Sequence, residues 1–155
     1  MTHLNEGDVA PDFTGTLSTG ETVSLSDFAG KKLILYFYPK DDTPGCTAEA
    51  CSLRDGYGEL RSQGYEILGV SPDKVAKHQK FINKYELPFD LIADEDKTVM
   101  NAYGVWGPKK FMGRTYDGVH RITFVIDEEG KIAKVIKKVK TKDHAAQVLD
   151  EMAGV

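Results

Sequence analysis

A chain of 155 residues with 41% hydrophobic content is long enough for one compact domain with a real core, and short for a two-domain enzyme. Its 24 acidic and 20 basic residues are interleaved to a net charge of −4, so it lacks the basic footprint that a nucleic-acid or anionic-membrane partner requires. No stretch approaches the roughly 20 apolar residues of a membrane span, and the opening "MTHLNEGDVAPDF" has no apolar signal core, which makes a single-domain cytoplasmic protein, 1–155, the expectation.

Short apolar runs alternate along the chain with amphipathic segments, the pattern of an α/β domain with a sheet flanked by helices. "FTGTLSTGETVSLSDF", Phe13 to Phe28, alternates on both sides of Gly20 and predicts an N-terminal β-hairpin, a lid over one sheet edge. "KLILYFY" (Lys32 to Tyr38) and "YEILGVS" (Tyr65 to Ser71) are almost wholly apolar and predict central strands; "FDLIA" (Phe89 to Ala93) predicts another. Helical spacing runs through Thr47 to Gln63, Asp73 to Tyr85 and Lys142 to Met152, with Asp73 and Thr141 as expected caps of the last two. "RITFVID" (Arg121 to Asp127) and "KIAKVIKKV" (Lys131 to Val139), joined by an acidic turn with glycine, predict an antiparallel pair. His3, His78, His120 and His144 are scattered with nothing to single one out. Asp41 and Asp42 read as a solvated loop tip, Lys109 and Lys110 as a solvated charge pair, and Trp106 as a core or loop anchor.

The chemistry concentrates in "YFYPKDDTPGCTAEAC", which holds the only two cysteines, Cys46 and Cys51. Two are too few for a secreted disulfide scaffold; in a reducing compartment a close pair is catalytic, redox-sensing or metal-binding. Pro44 and Gly45 interrupt regular structure and good helix formers follow, so Cys46 falls in a first helical turn, where unpaired N–H groups and the helix dipole favour a thiolate. A helix end supplies about 0.3–1 kcal/mol, whereas bringing a cysteine below neutrality takes roughly 3 kcal/mol; a cationic side chain must assist. Thr43 can turn its hydroxyl into the same pocket as the backbone donors around Gly45, a set able to hold a polar, two-oxygen substrate.

Cys51 poses a geometrical problem. Positions five apart on an intact helix have Cα atoms about 8–9 Å apart and directions about 140° apart, beyond the roughly 7 Å a disulfide spans. Any bond between the two thiols needs the helix to unwind. Gly56 and Gly58 either soften that helix or admit a close neighbour. A zinc site would want about four ligands, and no second cysteine pair or close histidine pair is present. A thioredoxin-type oxidoreductase would place two residues between its cysteines rather than the four of "CTAEAC". A redox-sensing or chaperone-like module switched by a Cys46–Cys51 disulfide is the alternative from a different class.

These residues resemble the peroxiredoxins, and among them the bacterioferritin co-migratory protein or peroxiredoxin Q type, over nearly the whole chain. The signature of proline, three residues, threonine, two residues and cysteine falls on Pro39, Thr43 and Cys46, and the subtype's second cysteine on Cys51. "VWGPKKFMGRTYDGVHRITFVID" is similar to the distal active-site segment, whose arginine falls on Arg121. The resemblance implies a thioredoxin-like fold with a central mixed sheet, a monomer, and reduction of hydrogen peroxide and organic hydroperoxides without metal, haem or flavin. It implies that Cys46 becomes a sulfenic acid, that Cys51 condenses with it, and that thioredoxin or a similar dithiol restores both. Arg121 then supplies the missing cation, Thr43 orients the peroxide, Gly45 contributes to its binding and Pro39 shields the pocket. Glu49 matches a glutamate common in the subtype, with no role assigned.

Overall fold

A computed structural model describes residues 2–153. The strand Lys32–Phe37 (β3, after the short β1 and β2 below) lies at the centre of a five-stranded sheet. Tyr65–Ser71 (β4) and Asp90–Ala93 (β5) extend it in parallel on one side, and Thr123–Ile126 (β8) and Ile132–Ile136 (β9) in antiparallel on the other, in the order β5-β4-β3-β8-β9. The sheet is therefore mixed, as expected, and its last pair antiparallel.

β3 reads as an unbroken apolar run because both its faces are covered. Leu33, Leu35 and Phe37 point into one buried cluster with Phe124, Val70 and Tyr103; Ile34, Tyr36 and Tyr38 point into the other with Leu53, Phe81 and Val148. The second face carries the helices Pro44–Asp55 (α1), Tyr57–Ser62 (α2), Val75–Tyr85 (α3) and His144–Ala153 (α5). The first is covered by the short helix Thr98–Ala102 (α4) and by N-terminal residues including Leu4 and Phe13.

The N-terminal hairpin is Thr14–Thr16 (β1) against Thr22–Ser24 (β2), with Gly20 at φ 88° in its turn. It closes the β5 edge through a bridge between Leu17 and Ile92 and the bond from Ser18 N–H to the Leu91 carbonyl. Trp106–Phe111 (β6) and Arg114–Val119 (β7) form a second hairpin that periodicity did not suggest. Its two-residue turn holds Met112 at φ 51° and Gly113 at φ 78°. That conformation favours Asn-Gly, and a methionine hides the signal.

Three further expectations are corrected. The helix drawn from Thr47 to Gln63 starts at Pro44 and is interrupted at Gly56, a residue whose missing side chain admits Ala145: a Cβ on Gly56 would sit 2.5 Å from that of Ala145. Gly58 meets no such neighbour. Lys74, not Asp73, precedes α3, and Thr141 opens a 3-10 turn before α5. Among the described residues, no helix is long and apolar enough to cross a membrane.

Candidate active site

The polypeptide leaves the end of β3 through Tyr38–Thr43 and enters α1 at Pro44. A proline suits that first position because its missing N–H would find no partner there. Thr43 is the residue before the helix, and its carbonyl accepts the first helical bond, from Thr47 N–H at 2.8 Å. Gly45 and Cys46 thus hold first-turn positions, whose N–H groups have no partner within the helix. The expected placement of Cys46 is what the structure contains.

Arg121 reaches the same point from the side of the neighbouring strand β8. It follows the β6–β7 hairpin and precedes β8, and the neighbouring Ile122 carbonyl accepts from Phe37 N–H at 3.0 Å, which ties this segment to the end of β3. The two arms of the guanidinium are divided. Nη2 donates to Cys46 Sγ at 3.2 Å and Nη1 to Glu49 Oε1 at 2.6 Å. Nη2 also lies over Gly45, 3.3 Å from where a Cβ would stand. Cys46 is 1% exposed and the Arg121 side chain 23%, so the cation faces the sulfur in a nearly dry setting, where a charge-assisted bond is stronger than in water.

Glu49 anchors the arginine from within. The Cys46 to Glu49 spacing of three puts both on one helix face, and Glu49 is wholly buried. Its Oε2 has no hydrogen-bond donor. Burial pushes the carboxyl up to about 7 against the pull of Arg121. His144 Nε2, 3.6 Å from Oε2, cannot help. Gln147 Oε1 sits 2.9 Å from His144 Nδ1 and also accepts from Lys140 N–H, so Nδ1 carries the hydrogen and Nε2 accepts from Thr123 Oγ1 at 2.8 Å. Burial drives this histidine down to about 4, so it stays neutral at physiological pH.

The other residues singled out in the sequence lie close by. Pro39 is half-buried in the loop before α1. Thr43 donates its hydroxyl hydrogen to the Lys40 carbonyl at 2.8 Å, so it faces its surroundings as an acceptor, where a donor was expected. Cys51 is half-buried one and a half turns along the same unbroken helix, and both thiols are free. Asp42 is exposed and paired with Lys84. Asp41 is not the solvated tip expected of it: it is 2% exposed and bonds to Tyr38 and to the fully buried His78. His78, Phe81 and Tyr85 share a face of α3, the signal by which that histidine could have been found.

Asp41, Asp73 and His78 each bring a possible metal ligand atom within 4.8 Å of the others. Those of Asp41 and His78 are already bonded to each other, His78 also to the Ile92 carbonyl, and Asp73 to Ser71 and Lys77; three also fall short of the about four ligands of a structural zinc site. An apolar pocket lined by Val9, Leu25, Phe28, Leu33 and Ile126 lies beside the start of β3, at the far end of that strand from Cys46.

A model of the AhpC/TSA family matches residues 7–135. The chain belongs to this family. It is 49% identical over 150 residues to peroxiredoxin Bcp of Escherichia coli, covering 97% of this chain and 96% of that one. A bcp-type relative from Haemophilus influenzae is 53% identical over 155 residues, the whole of both chains. A structure of the Xanthomonas campestris bacterioferritin comigratory protein, solved as a trapped intermediate/ligand complex to study its alkyl peroxide reduction activity, superposes with a TM-score of 0.87 at 34% identity, covering 99% of this chain and 98% of that one. The fold is thus the thioredoxin-like fold of peroxiredoxins, and this AhpC/TSA member is a thiol peroxidase, an oxidoreductase that takes its electrons from a dithiol.

Proposed function

We propose that Cys46 is the peroxidatic thiol of a thioredoxin-dependent peroxidase acting on hydrogen peroxide and organic hydroperoxides, and that Cys51 resolves it within the same chain. The observation that carries this reading is the 3.2 Å bond from Arg121 Nη2 to Cys46 Sγ at the entrance of α1. The thiolate attacks the terminal peroxide oxygen; the S–O bond forms as the O–O bond breaks, leaving a sulfenic acid and an alkoxide or hydroxide that departs with a proton as alcohol or water. Arg121 stabilises the thiolate and the charge growing on the departing oxygen. The backbone N–H groups of Gly45 and Cys46 add to that stabilisation. Thr43, its own hydrogen committed to Lys40, accepts the peroxide O–H and so fixes which oxygen meets the sulfur. Pro39 shields the loop side of the site.

Cys51 then attacks the Cys46 sulfur and expels water, giving a disulfide. Because α1 holds the two on an intact helix, its first turns unwind in this step. A dithiol donor, thioredoxin or similar, reduces the disulfide by exchange. The protein works as a single-domain monomer of residues 1–155 in the cytoplasm, where such donors keep the pair cycling.

Replacement of each cysteine by serine tests the assignment. Cys46→Ser is expected to lose peroxide consumption with the fold intact. Cys51→Ser is expected to form one sulfenic acid per chain and then stop when supplied with thioredoxin and its reductase. Turnover retained in the first, or an unchanged steady-state rate in the second, contradicts the corresponding role. A sensor of the alternative kind would oxidise once even with both thiols present.

A further inference from the structure

Behind the Cys46 site lies a second buried polar group that the chemistry above does not use. Asp41 Oδ1 accepts from the Tyr38 hydroxyl at 2.5 Å, and Oδ2 lies 2.6 Å from His78 Nδ1. The other ring nitrogen, Nε2, stands 2.9 Å from the Ile92 carbonyl, which can only accept, so Nε2 carries a hydrogen. A further hydrogen must then lie between Nδ1 and the carboxylate. Asp41 and His78 share that proton at 2% and 0% exposure, and among the described residues neither bonds to Cys46, Arg121 or Glu49.

The network ends on the loop that carries Thr43. Asp41 N–H donates to Asp73 Oδ2 at 2.7 Å, and Asp73 is in turn held by Ser71 Oγ at 2.7 Å and by Lys77 Nζ at 3.1 Å. Next to it Asp42, at φ 60°, accepts from Lys84 Nζ and from the Tyr85 hydroxyl. The Thr43 hydroxyl bonds to Lys40, the residue just before Asp41. Apart from the Thr43 carbonyl, which opens α1, and the bonds to Tyr38 and Lys40 within the loop itself, its tethers lead to α3, to Asp73 just after β4 and, through His78, to β5. An apolar pair could fill the space between α3 and the sheet, but a carboxylate bonded to both Tyr38 and His78, with its own N–H bonded to Asp73, fixes the backbone of Asp41, and with it the position of Thr43.

We propose that Asp41 and His78 are positioning residues for peroxide: their buried bond clamps the Pro39–Thr43 loop on α3 and so sets where the Thr43 oxygen stands relative to Cys46 Sγ. The inference rests on the reading that Thr43 receives the peroxide. Hydrogen bonds that select one geometry matter here because a misplacement of about 1 Å costs on the order of a hundredfold in rate, while the sulfur itself is held by α1 and Arg121.

The test compares two reactions of one thiol, measured on Cys51→Ser protein so that Cys46 alone reports: oxidation by hydrogen peroxide, which needs Thr43, and alkylation by iodoacetamide, which does not. Asp41→Ala is expected to slow oxidation about tenfold or more while alkylation stays within about twofold. Tyr38→Phe, which removes a single donor and spares the fold should Asp41→Ala fail to fold, is expected to shift the same ratio about two- to threefold. Asp41→Asn is expected to restore it, since the amide N–H can donate to an unprotonated Nδ1 while its oxygen still accepts from Tyr38. Oxidation at the parent rate in Asp41→Ala and Tyr38→Phe overturns the clamp, as does a parallel change in both reactions, which marks general loosening, or an Asp41→Asn as impaired as the alanine. Thr43→Val keeps the two readings apart: unaffected oxidation there overturns the role of Thr43 itself, whereas impaired oxidation there with a normal Asp41→Ala overturns the clamp alone.

Discussion

Glu49 Oε1 is held by Arg121, while Oε2 is buried with no donor, and this asymmetry has a thermodynamic signature. The folded carboxyl takes its proton at about 7 against 4.5 for the ordinary group, so the native state binds more protons than the unfolded chain between those values. Stability from Glu49 therefore falls as pH rises through that window. His144 has the opposite sign: its ordinary value of 6.5 drops to about 4, so the unfolded chain binds more protons and stability rises with pH over that range. The two slopes oppose each other between 4.5 and 6.5. Glu49→Gln is expected to leave the His144 slope unopposed, with unfolding free energy climbing on the order of 3 kcal/mol between pH 4 and 6.5, while the parent protein stays nearly flat; denaturant titrations across that range check it. Arg121→Lys tests the divided guanidinium. A point charge cannot hold Glu49 and Cys46 Sγ with two arms, and the second-order rate with peroxide is expected to fall about a hundredfold in stopped-flow measurements.

At the level of elements, the proposed resolving step depends on how α1 ends. Ala145 N–H donates to Ser52 Oγ at 3.2 Å and its side chain packs on Gly56, so α5 is docked on the half of α1 that follows Cys51. Gly56→Ala would force two Cβ atoms to 2.5 Å and is expected to destabilise the fold by about 1–3 kcal/mol, read as a fall in thermal midpoint; an unchanged midpoint would show that α5 yields freely. Elements were legible where one physical signal dominated. β3 and β4 announce themselves by runs buried on both faces, and α3 by its apolar stripe. The need for glycine at 56 depends on a side chain 89 positions away in sequence, which no local pattern contains. The β6–β7 hairpin turns on a methionine in a left-handed conformation, and its strands are mostly exposed, so neither turn chemistry nor alternation marks it.

Across the whole molecule, the sheet brings together what the sequence separates. Cys46 and Thr43 were legible from the Pro-Gly turn and the onset of helix formers, and Arg121 from its place in the family's distal segment. The arrangement behind them was not: Glu49 stands out only as a glutamate the subtype shares, without a role, and Asp41 reads as a loop acid, until β3, α3 and α5 close around them. Buried polar residues are recognised by their partners, and here the partners lie 37 positions from Asp41 and 72 from Glu49. The central claim is that Cys46 is oxidised at the entrance of α1 and is then reached by Cys51 as that helix unwinds. Intact-mass and peptide mass spectrometry after one equivalent of hydrogen peroxide tests it most directly. A chain lighter by two hydrogens, with a single Cys46–Cys51 link, is the predicted result; a stable oxygen adduct on Cys46, or a disulfide joining two chains, would contradict it.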